Sequence, residues 1–168
     1  MVYNHKLLGA FLVLALAAVM VSGSAQTPDS DAKAVDWFKH INGTFVSGKA
    51  DFDKKFATLP KDATVFLWFL RQNCPHCKGY WWNYRDGSDY MLKKYGDQKV
   101  VYLNSDLSSN FDLAYRYKLK HLPTIITFKN GDSKHPFLVD EQKYFNSSDE
   151  AIAYFEKEYA AQALPISP

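Results

Sequence analysis

One continuous apolar run constrains the fold of this chain more than any other feature. Residues 64–70 read Thr-Val-Phe-Leu-Trp-Phe-Leu, without a single charged side chain. A strand that is covered on one face only alternates apolar with polar residues, whereas a strand that is covered on both faces is apolar throughout. The run therefore predicts a strand at the centre of a sheet.

The only two cysteines of the chain follow this strand, in the order Cys74-Pro75-His76-Cys77. A structural disulfide usually joins distant segments, because closing a longer loop restricts the unfolded chain more. A zinc site needs four ligands as a rule, and no second pair of cysteines or histidines stands at ligand spacing. The pattern therefore indicates redox chemistry at the two thiols and no metal site.

The position of Cys74 between a strand and a helix predicts its reactivity. Unpaired N–H groups at a helix N-terminus favour the thiolate, which is the attacking species. Pro75 suits the first helical position, because its missing N–H would have no partner there. Cys77 follows one helical turn later, close enough to form a disulfide with Cys74. His76, if it is protonated or points an N–H at the sulfur, would stabilise the thiolate further; the alternative is a solvated histidine without an electronic role.

A stabilised thiolate also predicts a direction of electron flow. It stabilises the reduced protein, and a more stable reduced form makes the disulfide a stronger oxidant. The dipeptide Pro75-His76 therefore favours an oxidising site. Because the Cys74–Cys77 disulfide itself carries the electrons, we expect no metal and no organic cofactor.

Periodicity and turn residues predict the remaining elements. Strands are expected at 44–46, 64–70, 99–103, 124–128 and 137–139, with a hairpin turn at Asn130-Gly131. Helices are expected after a cap at Asp29 or Ser30, around Phe52 and Phe56, over 78–95 with a disturbance at 86–88, over 110–117 with Phe111 buried, and after a cap at Ser147 or Ser148. This order predicts an α/β fold, with one central mixed sheet and helices on both faces.

The first 25 residues form a separate unit. His5 and Lys6 precede an apolar run from Leu7 to Val21, and small residues follow as far as Ala25. This order is typical of a secretory signal peptide. A retained membrane anchor is the alternative, although about 15 apolar residues are short for a spanning helix. We expect residues 26–168 to form one exported domain, in the periplasm, or in the secretory lumen or outside the cell in a eukaryote.

The composition is that of one folded domain. Hydrophobic residues make up 47% and aromatic residues 16% of 168 positions, enough for a sizeable core. The formal net charge of +2 indicates no nucleic-acid partner. No residue pattern specifies an oligomeric state.

Two motifs resemble the thioredoxin superfamily over roughly residues 44–160. Cys74-Pro75-His76-Cys77 has the dipeptide that is typical of DsbA-type oxidases, and His121-Leu122-Pro123-Thr124 is similar to the segment that carries the family's cis-proline. The resemblance implies a thioredoxin fold, a cis Pro123 facing the Cys74 sulfur, and a Leu122 backbone that binds substrate peptides. It also implies protein thiols and disulfides as substrates, with a membrane or soluble redox partner.

The chain departs from that family at its proton-handling pair. The place of the buried acid, six residues before Cys74, is taken by Trp68, and the place of its lysine partner by Tyr102. Deprotonation of Cys77 would then need water or another group, which disfavours efficient reduction. A reductase or isomerase kept reduced by a membrane partner stays an alternative. So does a non-redox peptide-binding module, motivated by the aromatic residues of 80–84.

Overall fold

The computed structural model describes residues 36–108, 110–129 and 131–161. The predicted signal peptide and the predicted cap at Asp29 or Ser30 lie outside these residues. The strands are β1 Thr44–Val46, β2 Thr64–Leu70, β3 Val100–Asp106, β4 Thr124–Phe128 and β5 Leu138–Glu141. The helices are a 3-10 turn Trp37–His40, α1 Lys49–Ala57, α2 Pro75–Tyr95, α3 Asp112–Arg116 and α4 Ser148–Ala160.

The described strands form one five-stranded mixed sheet in the order β1-β3-β2-β4-β5. The β1, β3 and β2 strands run parallel, while β4 pairs antiparallel with both β2 and β5. Every residue of the central strand β2 is buried, as its apolar sequence predicts. The predicted α/β class, with a mixed central sheet, is confirmed.

Alternate side chains of β2 enter two separate cores. Phe66, Trp68 and Leu70 pack into the core that α2 and α4 cover. Val65, Leu67 and Phe69 pack into the core that includes Phe52 and Phe56 of α1 and Leu113 of α3. Full burial of each large apolar side chain contributes about 1.5–3 kcal/mol, so the two faces together hold the sheet between its helices.

Helix α2 is continuous through residues 86–88, and the disturbance predicted there is wrong. Gly87 lies in the contact with α4, where an added Cβ would stand 2.8 Å from the Cβ of Ala151. The glycine therefore serves close helix packing and does not interrupt the helix.

Two further expectations need correction. The returning strand is Leu138–Glu141, and residues 129–137 connect it to β4, a longer connection than a two-residue hairpin. A turn does exist at the expected place, since the Asp132 N–H bonds to the Lys129 carbonyl at 3.2 Å. Phe111 is exposed, because α3 begins only at Asp112.

In the described part of the chain, no helix has the length and apolarity that a membrane span requires.

Candidate active site

Strand β2 and helix α2 together place the two cysteines. Cys74 is the N-cap residue of α2 and Pro75 is its first residue. The backbone N–H of Cys77 donates a hydrogen bond to the Cys74 sulfur across 3.2 Å. The Cys74 sulfur thus lies at the N-terminal end of α2, where backbone N–H groups stabilise negative charge.

The two thiols differ in their exposure to solvent. Both are free, and Cys74 is partly exposed while Cys77 is fully buried. Burial, together with the neighbouring Cys74, raises the pKa of the Cys77 thiol well above its ordinary value. Cys77 is therefore protonated in the reduced protein, and only Cys74 is accessible to an external disulfide.

Aromatic side chains share one core cluster with Cys77. The indole of Trp68 stacks on the ring of Tyr84 with 4.1 Å between centroids, and Tyr102 stacks on Phe66 at 5.3 Å. Burial raises the pKa of both the Tyr84 and the Tyr102 phenols, so both stay neutral at physiological pH. The positions of the expected acid and lysine are thus occupied by uncharged, packed rings.

The segment before β4 lies at the same end of the sheet as the cysteines. The register pairs Phe69 of β2 with Thr124 of β4, which brings Pro123 next to the end of β2 that leads into Cys74. The Leu122–Pro123 peptide bond is cis, and Pro123 is buried. Leu122 is half-buried and packs against both cores. The Cys74–Cys77 motif and the segment that carries Pro123 therefore lie at the same end of the sheet.

His76 is exposed, and its ring lies beside a residue that sequence analysis did not single out. The His76 and Tyr144 ring centroids are 5.3 Å apart, and Tyr80 lies 5.1 Å from Tyr144. Tyr144 belongs to the segment between β5 and α4. No local pattern points to it, because its contact depends on how that distant segment returns to α2.

The aromatic residues of 80–84 divide between the core and the surface. Trp81 and Tyr84 are buried, Tyr80 is half-buried, and Trp82 is 48% exposed. Trp82 stacks on Trp81 at 4.1 Å, and the Arg85 guanidinium lies over both indoles. Core packing accounts for two of the four rings and leaves a partly exposed aromatic surface on α2.

A groove of about 250 Å³ is lined by Leu122 and by Arg71, which precedes the cysteines by three residues. Leu107, Leu119 and Leu122 contribute apolar surface to it, and the exposed rings of Phe111 and Tyr115 border it. An extended peptide bound beside the cysteines could bury side chains here.

Comparison with known proteins decides the family. The thioredoxin family model matches residues 43–148, well over half of the chain. This chain belongs to the thioredoxin family. Thioredoxin 2 of Plasmodium falciparum is 29% identical over 97 residues, a match that spans 58% of this chain and 55% of that protein. The chain therefore covers little more than half the length of this relative.

Solved structures share the fold at lower identity. Chloroplastic thioredoxin z superposes with a TM-score of 0.53 and 21% identity, covering 71% of this chain and 96% of its own. Human ERp44 gives a TM-score of 0.55 and 18% identity, over 70% of this chain and 30% of its own. The thioredoxin fold of the chain is confirmed, and family membership agrees with thiol–disulfide chemistry in general.

Proposed function

We propose that this protein is an exported thiol–disulfide oxidoreductase that oxidises protein thiols through Cys74 and Cys77. One observation carries the proposal. Cys74 is partly exposed, caps a helix N-terminus and accepts the Cys77 N–H at its sulfur, while the Cys77 thiol is buried. This arrangement favours attack at one sulfur and shields the other.

The proposed reaction uses the Cys74–Cys77 disulfide as the oxidant. A substrate thiolate attacks the Cys74 sulfur, the Cys74–Cys77 bond breaks, and Cys77 leaves and takes up a proton. A second substrate thiolate then attacks the substrate sulfur of the mixed disulfide, and Cys74 leaves as a thiolate. Two substrate thiols are oxidised to a disulfide, and the protein disulfide is reduced to a thiol and a thiolate.

Two features support the oxidising direction. The helix N-terminus and the Cys77 N–H stabilise the Cys74 thiolate that is released at the end. The raised pKa of Cys77 makes loss of its proton unfavourable, and the reverse step, in which a Cys77 thiolate attacks the mixed disulfide, requires that loss. Trp68 and Tyr102 supply no charged acid–base pair to help that reverse step.

The reduction potential tests the direction. We expect equilibration with glutathione to give a value closer to roughly −120 mV than to roughly −270 mV. A potential near roughly −270 mV would overturn the oxidising direction and favour a reductase or isomerase that a membrane partner keeps reduced. If the protein with both Cys74→Ser and Cys77→Ser keeps its biological activity, the non-redox binding module is the correct function.

Export is the second part of the proposal. It is supported by the order of basic, apolar and small residues over 1–25. Intact-mass measurement of the protein from its native source tests it. We expect a chain that begins after Ala25, and a full-length chain recovered from the soluble cytosolic fraction would contradict export.

A further inference from the structure

The segment between β5 and α4 passes the end of the sheet at which the cysteines lie, and hydrogen bonds hold it at two points. The backbone N–H of Lys143 donates to the Pro123 carbonyl at 3.2 Å. The Asn83 side-chain amide of α2 donates to the Phe145 carbonyl at 2.5 Å, and the Phe145 ring is buried. Tyr144 stands between these two attachments, so its backbone is restrained from both sides.

The ring of Tyr144 reaches the first turns of α2. It lies 5.3 Å from the His76 ring and 5.1 Å from the Tyr80 ring, centroid to centroid. His76 and Tyr80 are one turn apart on the same face of the helix, so a single ring can contact both. Tyr144 thereby links the segment before β4 that carries Pro123, here called the Pro123 loop, to the helix turn that carries the cysteines.

We propose that Tyr144 is a positioning residue, whose ring restrains the His76 imidazole on the first turn of α2 and so promotes the thiolate form of Cys74. The inference rests on the proposed redox function. It assigns to Tyr144 a control over the reactivity of Cys74 that acts through His76.

The physical basis is the attraction between an aromatic ring and a cation. An aromatic ring stabilises a neighbouring positive charge, and an imidazole carries such a charge whenever it is protonated. A restrained side chain also loses less rotational freedom when it interacts with a neighbour than a freely rotating one. A positive charge held next to the helix N-terminus favours the thiolate over the thiol.

Other titratable groups around this site must be considered with His76. The Lys143 ammonium lies over the rings of Tyr154, at 4.7 Å, and Phe145, at 5.4 Å. His121 of the Pro123 loop faces the Glu141 carboxylate at 3.9 Å. Arg71 precedes the cysteines and its carbonyl accepts the Cys74 N–H at 3.0 Å, Lys120 precedes His121, and α2 itself carries Cys77, Lys78 and Tyr80. The test therefore isolates the contribution of His76 with a double-mutant cycle.

The cycle combines Tyr144→Ala with His76→Ala and measures two quantities. One is the rate at which iodoacetamide alkylates Cys74 as the pH is lowered from neutral. The other is the equilibrium constant for reduction of the Cys74–Cys77 disulfide by glutathione. We expect Tyr144→Ala to lower both by about two- to fivefold, the size of an exposed cation–aromatic contact. In the His76→Ala background the same change should have no further effect, and Tyr144→Phe should restore the wild-type values.

Two controls keep the test decisive. Tyr144→Leu retains apolar volume without an aromatic face and should behave like Tyr144→Ala, even if the alanine variant folds poorly. Tyr90→Ala removes an exposed ring near the other end of α2 and should change neither quantity. The proposal is overturned if Tyr144→Leu matches the wild type, or if Tyr144→Ala has an equal effect without His76.

Failure of the proposed function would look different. A wild-type protein that does not exchange with glutathione at all would contradict the redox function. The alkylation rate of Cys74 would still report whether Tyr144 acts through His76.

Discussion

The Cys77 N–H donates to the Cys74 sulfur across 3.2 Å, while the Cys77 thiol itself is fully buried. Cys77 thus stabilises the sulfur of the partly exposed Cys74 through its backbone, while its own sulfur is inaccessible to solvent. In the proposed reaction, Cys74 is therefore the sulfur that exchanges with substrate and Cys77 is its buried partner.

The first prediction concerns the division of labour between the cysteines. Cys74→Ser should abolish exchange with protein thiols, because the buried Cys77 cannot reach a substrate. Cys77→Ser should accumulate mixed disulfides that form when the Cys74 thiolate attacks a substrate disulfide, since no Cys77 thiol remains to release them by the reverse of the proposed reaction. Non-reducing electrophoresis followed by mass spectrometry checks both results. A Cys74→Ser protein that exchanges thiols at the wild-type rate would rule out the mechanism.

The second prediction concerns alkaline stability of the reduced protein. Burial raises the pKa of Cys77, so above the ordinary thiol value of about 8.5 the unfolded chain loses this proton while the folded chain keeps it. Folding then becomes less favourable by up to about 1.4 kcal/mol for each further pH unit. Urea unfolding of reduced protein at rising pH should show this decline.

Cys77→Ala is the control for that measurement. It retains the buried tyrosines, whose raised pKa values add their own decline at higher pH. It should therefore lose stability less steeply than the wild type between the ordinary thiol and tyrosine ranges. Parallel curves for the two proteins would show that Cys77 titrates normally.

The third prediction concerns the contact between α2 and α4. Gly87→Ala should destabilise the protein by about 1–3 kcal/mol, because the new Cβ overlaps Ala151 and the ring of Phe155. Gly79 is the matched control on the same helix, since nothing lies within 4 Å of an added Cβ there. Gly79→Ala should stabilise the helix by up to about 1 kcal/mol. Equal effects at both positions in thermal unfolding would contradict the packing.

The fourth prediction concerns the groove beside Leu122. Tyr115 borders it and is 79% exposed, so its ring is available to a bound peptide. Tyr115→Ala should raise the KM for a protein substrate about three- to tenfold, the usual loss for an aromatic contact. The rate with glutathione should stay unchanged, because so small a thiol does not reach the groove. A loss of activity with both substrates would show that Tyr115 supports the fold and does not contribute to peptide binding.

Local pattern was sufficient for much of this structure. The apolar run over 64–70 predicted a fully buried strand, and Pro75 predicted the helix start that makes Cys74 the N-cap. Phe52 and Phe56 predicted the buried face of α1, and Ser147 caps α4 as expected by accepting the Glu150 N–H. Each of these depends on residues that are close in sequence.

The features that were missed depend on contacts between distant segments. Gly87 resembles a helix breaker until α4 is placed against it, and only that packing shows why α2 continues. Tyr144 gains its role because Lys143 bonds to Pro123 and Phe145 bonds to Asn83, neither of which local periodicity reports. Phe111 looks like a core residue of the helix predicted over 110–117, but α3 begins at Asp112 and the Phe111 ring is exposed.

The most direct test of the account is site-resolved alkylation of the reduced wild-type protein. Brief treatment with iodoacetamide at neutral pH, followed by peptide mass spectrometry, measures the modification of each thiol separately. We predict rapid modification of Cys74 and almost none of Cys77, because Cys74 is partly exposed and the Cys77 thiol is buried. Equal modification of both cysteines, or faster modification of Cys77, would contradict it.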